Sequence, residues 1–159
     1  MGNKGKEISI RKMRWFLFLL GVTKIPMIAY LRPKLILLND NDAVVKIKLR
    51  RRSKNHLKSM YFGALAVGAD VAGGLHAFYF AEKMGQKVSF AFKSMKADFL
   101  KRAESDIIFK SSEGRLVEKA MQKSHSDRER VNQPIKIEAI NSDQEVVAIF
   151  ELIVSVRVK

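Results

Sequence analysis

The run MYFGALAVGADVAGGLHAFYFA, from Met60 to Ala81, constrains this chain more than any other feature. It is long enough to cross a bilayer, which takes about 20 apolar residues. Much of it, however, is Ala and Gly, which add little to insertion. Asp70 stands near its centre, where a carboxylate costs roughly 2.5–3.5 kcal/mol on insertion scales. A helix enclosed by the rest of a folded domain satisfies both facts. Gly63, Gly68, Gly73 and Gly74 each cost about 1 kcal/mol of helix propensity relative to Ala, so their presence predicts compensation by close packing. A curved sheet wrapped around the helix would provide it. The pattern predicts helix from Met60 to Met84, with Ser59 as N-cap and Gly85 as the stop.

On either side the hydrophobic period changes. Ala43 to Arg50 alternates, with Val45, Ile47 and Leu49 on one face and Lys46, Lys48 and Arg50 on the other, which predicts a strand with one buried face. Lys34 to Leu38 predicts its hairpin partner across the Asn39–Asp42 turn. After Gly85, strands are predicted over Lys87–Ala97, Asp98–Ser111 after a kink, Arg130–Ile140 and Glu145–Val158. Glu113–Ser124 is helical, with Leu116, Val117, Ala120 and Met121 on one face. The last strand is apolar on both faces and so belongs at the centre of a sheet or at a subunit contact. Upstream, Ser9 to Leu20 reads as a helix stopped by Gly21. Lys24 to Leu31 adds a helical turn or two, and Arg32-Pro33 favours extended backbone. Residues 1–7 are polar and expected to fray. The organisation expected is α+β: a basic, apolar helical segment over residues 1–31, and a domain over 32–159 in which one antiparallel sheet encloses one long helix.

Composition narrows the chemistry. A length of 159 residues, 47% hydrophobic, suits one domain with a sizeable core. With no cysteine, disulfides, thiolate metal sites and cysteine nucleophiles are excluded, and a reducing, cytoplasmic setting is expected. The net charge of +14 implies attraction to polyanions, among them anionic lipid, a phosphorylated cofactor or an acidic carrier protein. Trp15 to Val22, WFLFLLGV, follows Arg11, Lys12 and Arg14 as in a signal peptide. No small-residue cleavage site comes after it, and the run is too short to span. An amphipathic helix that docks on the domain is the preferred reading; peripheral membrane contact through residues 8–31 is the other. The basic run Lys46–Lys58 carries Arg50, Arg51, Arg52, Lys54 and Lys58 without an acid. It is either a solvated edge or a surface for CoA phosphates or an acyl-carrier protein. Nucleic acid is not expected, because no aromatics interleave with the charges. His56, His76 and His125 do not cluster and no metal-ligand spacing occurs, so no metal is predicted.

From Asn55 to Gly74 the sequence NHLKSMYFGALAVGADVAGG resembles the hotdog-fold thioesterases, and within them the phenylacetyl-CoA-thioesterase-like branch and its relatives of DUF4442 type. That family typically carries an Asn, then His-Gly-Gly, then an acidic residue farther along the central helix. Asn55 stands at the Asn, Gly63 at the second Gly and Asp70 at the acid. Tyr61 stands in place of the His, Phe62 in place of the first Gly, and Lys58 at a position that is often Gly. The resemblance spans about residues 30–158. It implies a hotdog fold, an acyl-CoA or acyl-carrier thioester as substrate, and no cofactor beyond the CoA carried by that substrate. It also implies a homodimer, or a tetramer of such dimers, in which Asp70 meets the other subunit's helix start as general base or nucleophile. Asn55 would orient water or substrate. Backbone amides at a helix N-terminus are unpaired and sit at its positive end, so those of Phe62 and Gly63 are candidate oxyanion donors. The Tyr61 hydroxyl can donate where His is usual, but a phenol is a poor base near neutral pH. The loss of His-Gly leaves a second reading open: a non-catalytic acyl- or lipid-binding member of the same fold.

Overall fold

The computed structural model describes residues 8–159. The elements run α1 (Ile10–Thr23), α2 (Pro26–Leu31), β1 (Lys34–Leu38), β2 (Ala43–Ile47), a short 3-10 turn (Arg51–Ser53), α3 (Phe62–Met84), β3 (Val88–Phe99), β4 (Ile107–Ser111), α4 (Gly114–Asp127), β5 (Val131–Ile140) and β6 (Val146–Val158). The six strands form one antiparallel sheet in the order β1-β2-β4-β5-β6-β3. As its two-faced apolarity predicts, β6 is interior, paired to β5 on one side and β3 on the other.

The sheet curves around α3, which packs against every strand from β2 to β3. Bulky side chains on the concave face fill the places where α3 has none. A methyl group at Gly68 would collide with the Phe109 ring, and one at Gly73 would stand 2.9 Å from Leu152 Cδ1. The small residues of the run are thus the receptors for the sheet's large ones. By length and composition α3 could cross a membrane, but 78% of its most apolar window is buried inside the domain. It is a core helix. α1 and α2 add to the same core, with Met13, Leu17, Ile28 and Leu31 all buried.

Several local expectations are corrected. The α3 N-cap is Tyr61, not Ser59, and the helix begins at Phe62 rather than Met60. Ser59 is spent on the preceding loop, where its hydroxyl bonds to Asn55 Oδ1 at 3.2 Å, and Met60 N donates across to Ala103 O at 2.7 Å. Gly21 does not stop α1. It is buried where a side chain would meet the backbone of Ala29, 2.9 Å away, so it serves the α1–α2 contact and the helix continues to Thr23. β2 ends at Ile47, because Leu49 N turns aside to Asp106 Oδ1 at 2.9 Å. The stretch predicted as strand from Asp98 to Ser111 is two strands, β3 ending at Phe99 and β4 starting at Ile107. Between them Leu100 N and Lys101 N both bond to Val147 O, and pairing stops. The expectation for residues 1–7 lies outside the described residues.

In an exposed helix Gly→Ala adds about 1 kcal/mol of stability. At Gly68 the sign is expected to reverse. Gly68→Ala should destabilise by about 1–3 kcal/mol through overpacking against Phe109, measured as a lowered urea midpoint at unchanged m-value.

Candidate functional site

One stripe of α3 is left incompletely covered by the sheet. Gly63, Ala66, Val67, Asp70 and Phe78 are each only half-buried, whereas the residues around them on other faces are buried. Their spacing by three, four and eight positions is that of a single helix face. Asp70 therefore lies where α3 is accessible from outside the sheet. Beside it is a cavity of about 200 Å³ walled by Phe16 and Leu20 of α1, Ile25 before α2, Gly74 and Phe78 of α3, and Phe90 of β3. The aromatic rings pack in series, Phe16–Phe78 at 4.8 Å and Phe78–Phe90 at 5.6 Å.

The Asp70 carboxylate makes no hydrogen bond or ion pair among the described residues. Burial raises its pKa above the ordinary value of 3.8, and nothing nearby offsets that. Uncompensated acids of this kind concentrate at functional sites. Asp40, Tyr79 and His76 each have a polar partner away from Asp70, although His76 Nδ1 is buried without one among the described residues. Asp40 accepts from Tyr79 Oη at 2.8 Å and from Lys83 Nζ at 2.7 Å, and the Lys83 hydrogen bond holds its pKa low. The Tyr79 hydroxyl is pushed up to about 12, first by burial and then by Asp40. His76 is fully buried, its Nε2 3.0 Å from Asn39 O. Burial lowers its pKa, so it is neutral near pH 7. These groups clasp the β1–β2 turn to α3 and α4, away from Asp70. His56 and His125 are exposed.

At the start of α3 the amides of Phe62 and Gly63 donate to nothing among the described residues. Gly63 admits a different neighbour from the one the sequence suggests. The Tyr61 ring folds back against the first turn, in the space a Gly63 side chain would need. Tyr61 and Phe62 are 48% and 60% exposed. Phe62 continues to Phe99, the last residue of β3, at 6.4 Å between centroids. Helix rise puts Asp70 about 10 Å from these amides within one chain. Asn55 organises the loop before α3: its Oδ1 accepts from Leu57 N at 2.9 Å and Ser59 N at 3.2 Å, leaving Nδ2 as its remaining donor.

The basic group divides in two. Lys54 and Lys58 lie in the loop leading to Tyr61, with Lys54 bridged to Met60. Arg50 and Arg52 turn instead into a recess shared with Arg32 and Lys34, and Arg51 is exposed beside them. What the sequence did not disclose is the roof over Asp70. Met13, Leu17 and Leu20 mark a packing face on α1, but nothing local names its partner.

An antiparallel sheet wrapped around one long helix is the hotdog architecture of α+β proteins. The chain belongs to the family described as Domain of unknown function (DUF4442), whose model matches residues 14–156. No curated protein matches it in sequence. Among solved structures it is similar to PA5026 of Pseudomonas aeruginosa, a protein of unknown function described as a probable thioesterase. The TM-score is 0.78 at 18% identity, over 98% of this chain and 99% of that one. It is also similar to thioesterase HI1161 of Haemophilus influenzae (TM-score 0.67, 10% identity, 96% and 92% covered). A mutant of thioesterase PA1618 of Pseudomonas aeruginosa scores 0.68 at 12% identity, with 97% of each chain covered. At these identities the likeness is one of fold, the hotdog fold.

A raised acid pKa stabilises only below the unfolded value, and that contribution is lost as pH rises through the folded value. At neutral pH, above the unfolded value, the raised pKa of Asp70 therefore opposes folding. Asp70→Asn is expected to raise stability at pH 7 by about 0.5–2 kcal/mol, seen as a higher urea midpoint, with the gain shrinking as the pH is lowered.

Proposed function

We propose that the protein hydrolyses acyl thioesters, acyl-CoA or acyl-carrier, at a site completed by a second copy of the chain. The observation that carries this reading is the unpartnered carboxylate of Asp70 on the open face of α3, beside an apolar cavity. Asp70 takes a proton from water as the water oxygen attacks the thioester carbonyl. The tetrahedral oxyanion is held by the Phe62 and Gly63 amides of the other subunit, and the C–S bond then breaks as Asp70 returns its proton to the leaving sulfur, giving the carboxylic acid and the thiol. A carboxylate whose pKa is raised by burial is a stronger base than an ordinary Asp. Asn55 Nδ2 is the donor available to orient water or substrate, and the acyl group occupies the cavity under α1. Lys54 and Lys58 flank the helix start and would meet CoA phosphates or an acidic carrier, with Arg50, Arg51 and Arg52 farther back on the same loop. The lack of cysteine is compatible with such a reaction in the reducing cytoplasm.

Dimerisation is supported by β3. It is an edge strand twelve residues long, and its outward surface exposes Met95 and Phe99, continuous with Phe62. A long open edge strand is a template for pairing with another strand. The replacement of His-Gly by Tyr61-Phe62, with the tyrosine ring lying on the first turn of α3, favours the alternative in which acyl groups are bound without turnover.

Hydrolysis over acyl-CoAs of graded chain length, wild type against Asp70→Asn, separates the two readings. Loss of at least about a hundredfold in kcat, typical of removing a general base, is expected in Asp70→Asn. Undiminished turnover in the mutant would reject Asp70, and acyl-CoA binding without turnover in wild type would select the binding role. Sedimentation should give twice the 18.1 kDa chain mass, and Phe99→Asp should return it toward one.

A further inference from the structure

α1 has two apolar faces. One packs on the core. The other carries Trp15, Phe18, Leu19 and Val22, spaced i, i+3, i+4, i+7 like a buried stripe, yet Trp15, Phe18 and Val22 are 60%, 57% and 56% exposed. Trp15 and Phe18 stack on each other at 5.4 Å. Met27 and Tyr30 of α2, 57% and 54% exposed, add to the apolar surface of this helix pair. An exposed apolar area of this kind marks a contact surface.

Its charge identifies the contact. From Ile8 to Leu38 the chain has Arg11, Lys12, Arg14, Lys24, Arg32 and Lys34 and no acidic residue. Between α1, α2 and β1 lies a cleft of about 560 Å³, within the range of about 300–1,000 Å³ usual for ligand pockets. Leu17, Val22 and Ile28 line it, and Arg14, Arg32 and Lys34 supply its charge. Arg32 and Lys34 also border a recess of about 170 Å³ whose other walls include Lys46, Lys48, Arg50 and Arg52. Neither lining contains a carboxylate; among the described residues Lys46 is the one lining cation in an ion pair, to Asp106 at 3.3 Å. Arg52 ties the recess to the apolar surface by donating to Tyr30 O at 3.0 Å and lying 5.3 Å over the Tyr30 ring. Free phosphate would not use the apolar cleft. A second copy would bring two such cationic faces together. An apolar layer backed by fixed positive charge fits a surface that is itself apolar inside and anionic outside.

We propose that α1, α2 and the Arg32–Arg52 recess dock this protein on an anionic phospholipid bilayer. The aromatic stripe enters the headgroup–acyl boundary, a lipid phosphate sits in the recess, and its chain lies in the cleft. Leu17 and Ile28 line both this cleft and the Asp70 cavity, so one layer of side chains separates the docked lipid from the carboxylate. The docking does not depend on thioester hydrolysis and is tested without it.

The full chain is sedimented with phosphatidylcholine vesicles, and with vesicles in which about a third of the lipid is phosphatidylglycerol. Emission is followed from Trp15, the one tryptophan in the sequence. The expected result is partition and a blue shift of Trp15 with the anionic vesicles only, weakening as salt shortens the screening length. Arg32→Glu with Lys34→Glu, and separately Trp15→Ser with Phe18→Ser, should each weaken partition about tenfold or more. All four side chains are exposed, and an unchanged melt confirms that the variants fold. Equal binding to neutral vesicles, no binding to either, or partition unaffected by both pairs overturns the proposal. So does a wild type freed from vesicles by soluble glycerol phosphate. A larger particle in light scattering that disappears with Phe18→Ser would assign the surface to a second copy instead.

Discussion

The fit of large sheet side chains into the gaps of α3 is the constraint from which the rest follows. Phe109 needs Gly68 bare, Leu152 and Ile135 close over Gly73, and Phe90 over Gly74. A helix of ordinary side chains would hold the sheet away and leave it flatter. With these residues the sheet curves round α3 and covers all of it except one stripe. Because the enclosing surfaces are apolar, a polar group placed on that stripe keeps no internal partner. Asp70 is the group placed there, and its raised pKa is a direct consequence of the packing.

The two ends of α3 are treated differently. Toward its C-terminus polar side chains are paired: Asp40 joins Tyr79, Lys83 and Arg115, and His76 Nε2 is tied to Asn39 O, although His76 Nδ1 has no partner among the described residues. Toward its N-terminus the backbone amides, the Tyr61 and Phe62 rings and the β3 edge are all left open. Stability is concentrated at one end and unsatisfied binding capacity at the other, the division expected when a rigid scaffold presents a site. α1 and α2 stand between these functions. Their inner face roofs the Asp70 cavity and their outer face is apolar and cationic.

Much of this was legible locally. The small-residue run with its lone acid announced an enclosed helix. Alternation announced the strands, and the two-faced apolarity of β6 its interior position, paired on both sides. What was not legible depends on partners remote in sequence. The Ser59 side chain could have capped α3 but is held by Asn55, and Tyr61 takes the cap because Tyr61 N is anchored to Ser53 O. The strand break after Phe99 is imposed by Val147 O, which captures two successive amides. Gly21 reads as a helix stop but is a contact point for Ala29. At the site, the positions of Asp70, Phe62 and Gly63 on α3 followed from helical spacing. The cavity walls did not, since Phe16, Ile25 and Phe90 come from three separate segments.

The central claim is that the fold keeps a carboxylate in apolar surroundings without a partner. It is tested most directly by titrating the side-chain carboxyl carbon of Asp70 by NMR, assigned by comparison with Asp70→Asn. The account predicts a midpoint above the ordinary 3.8 for this residue, set apart from the other aspartates. A midpoint at or below 3.8 would mean that the carboxylate is solvated or paired, and would contradict it.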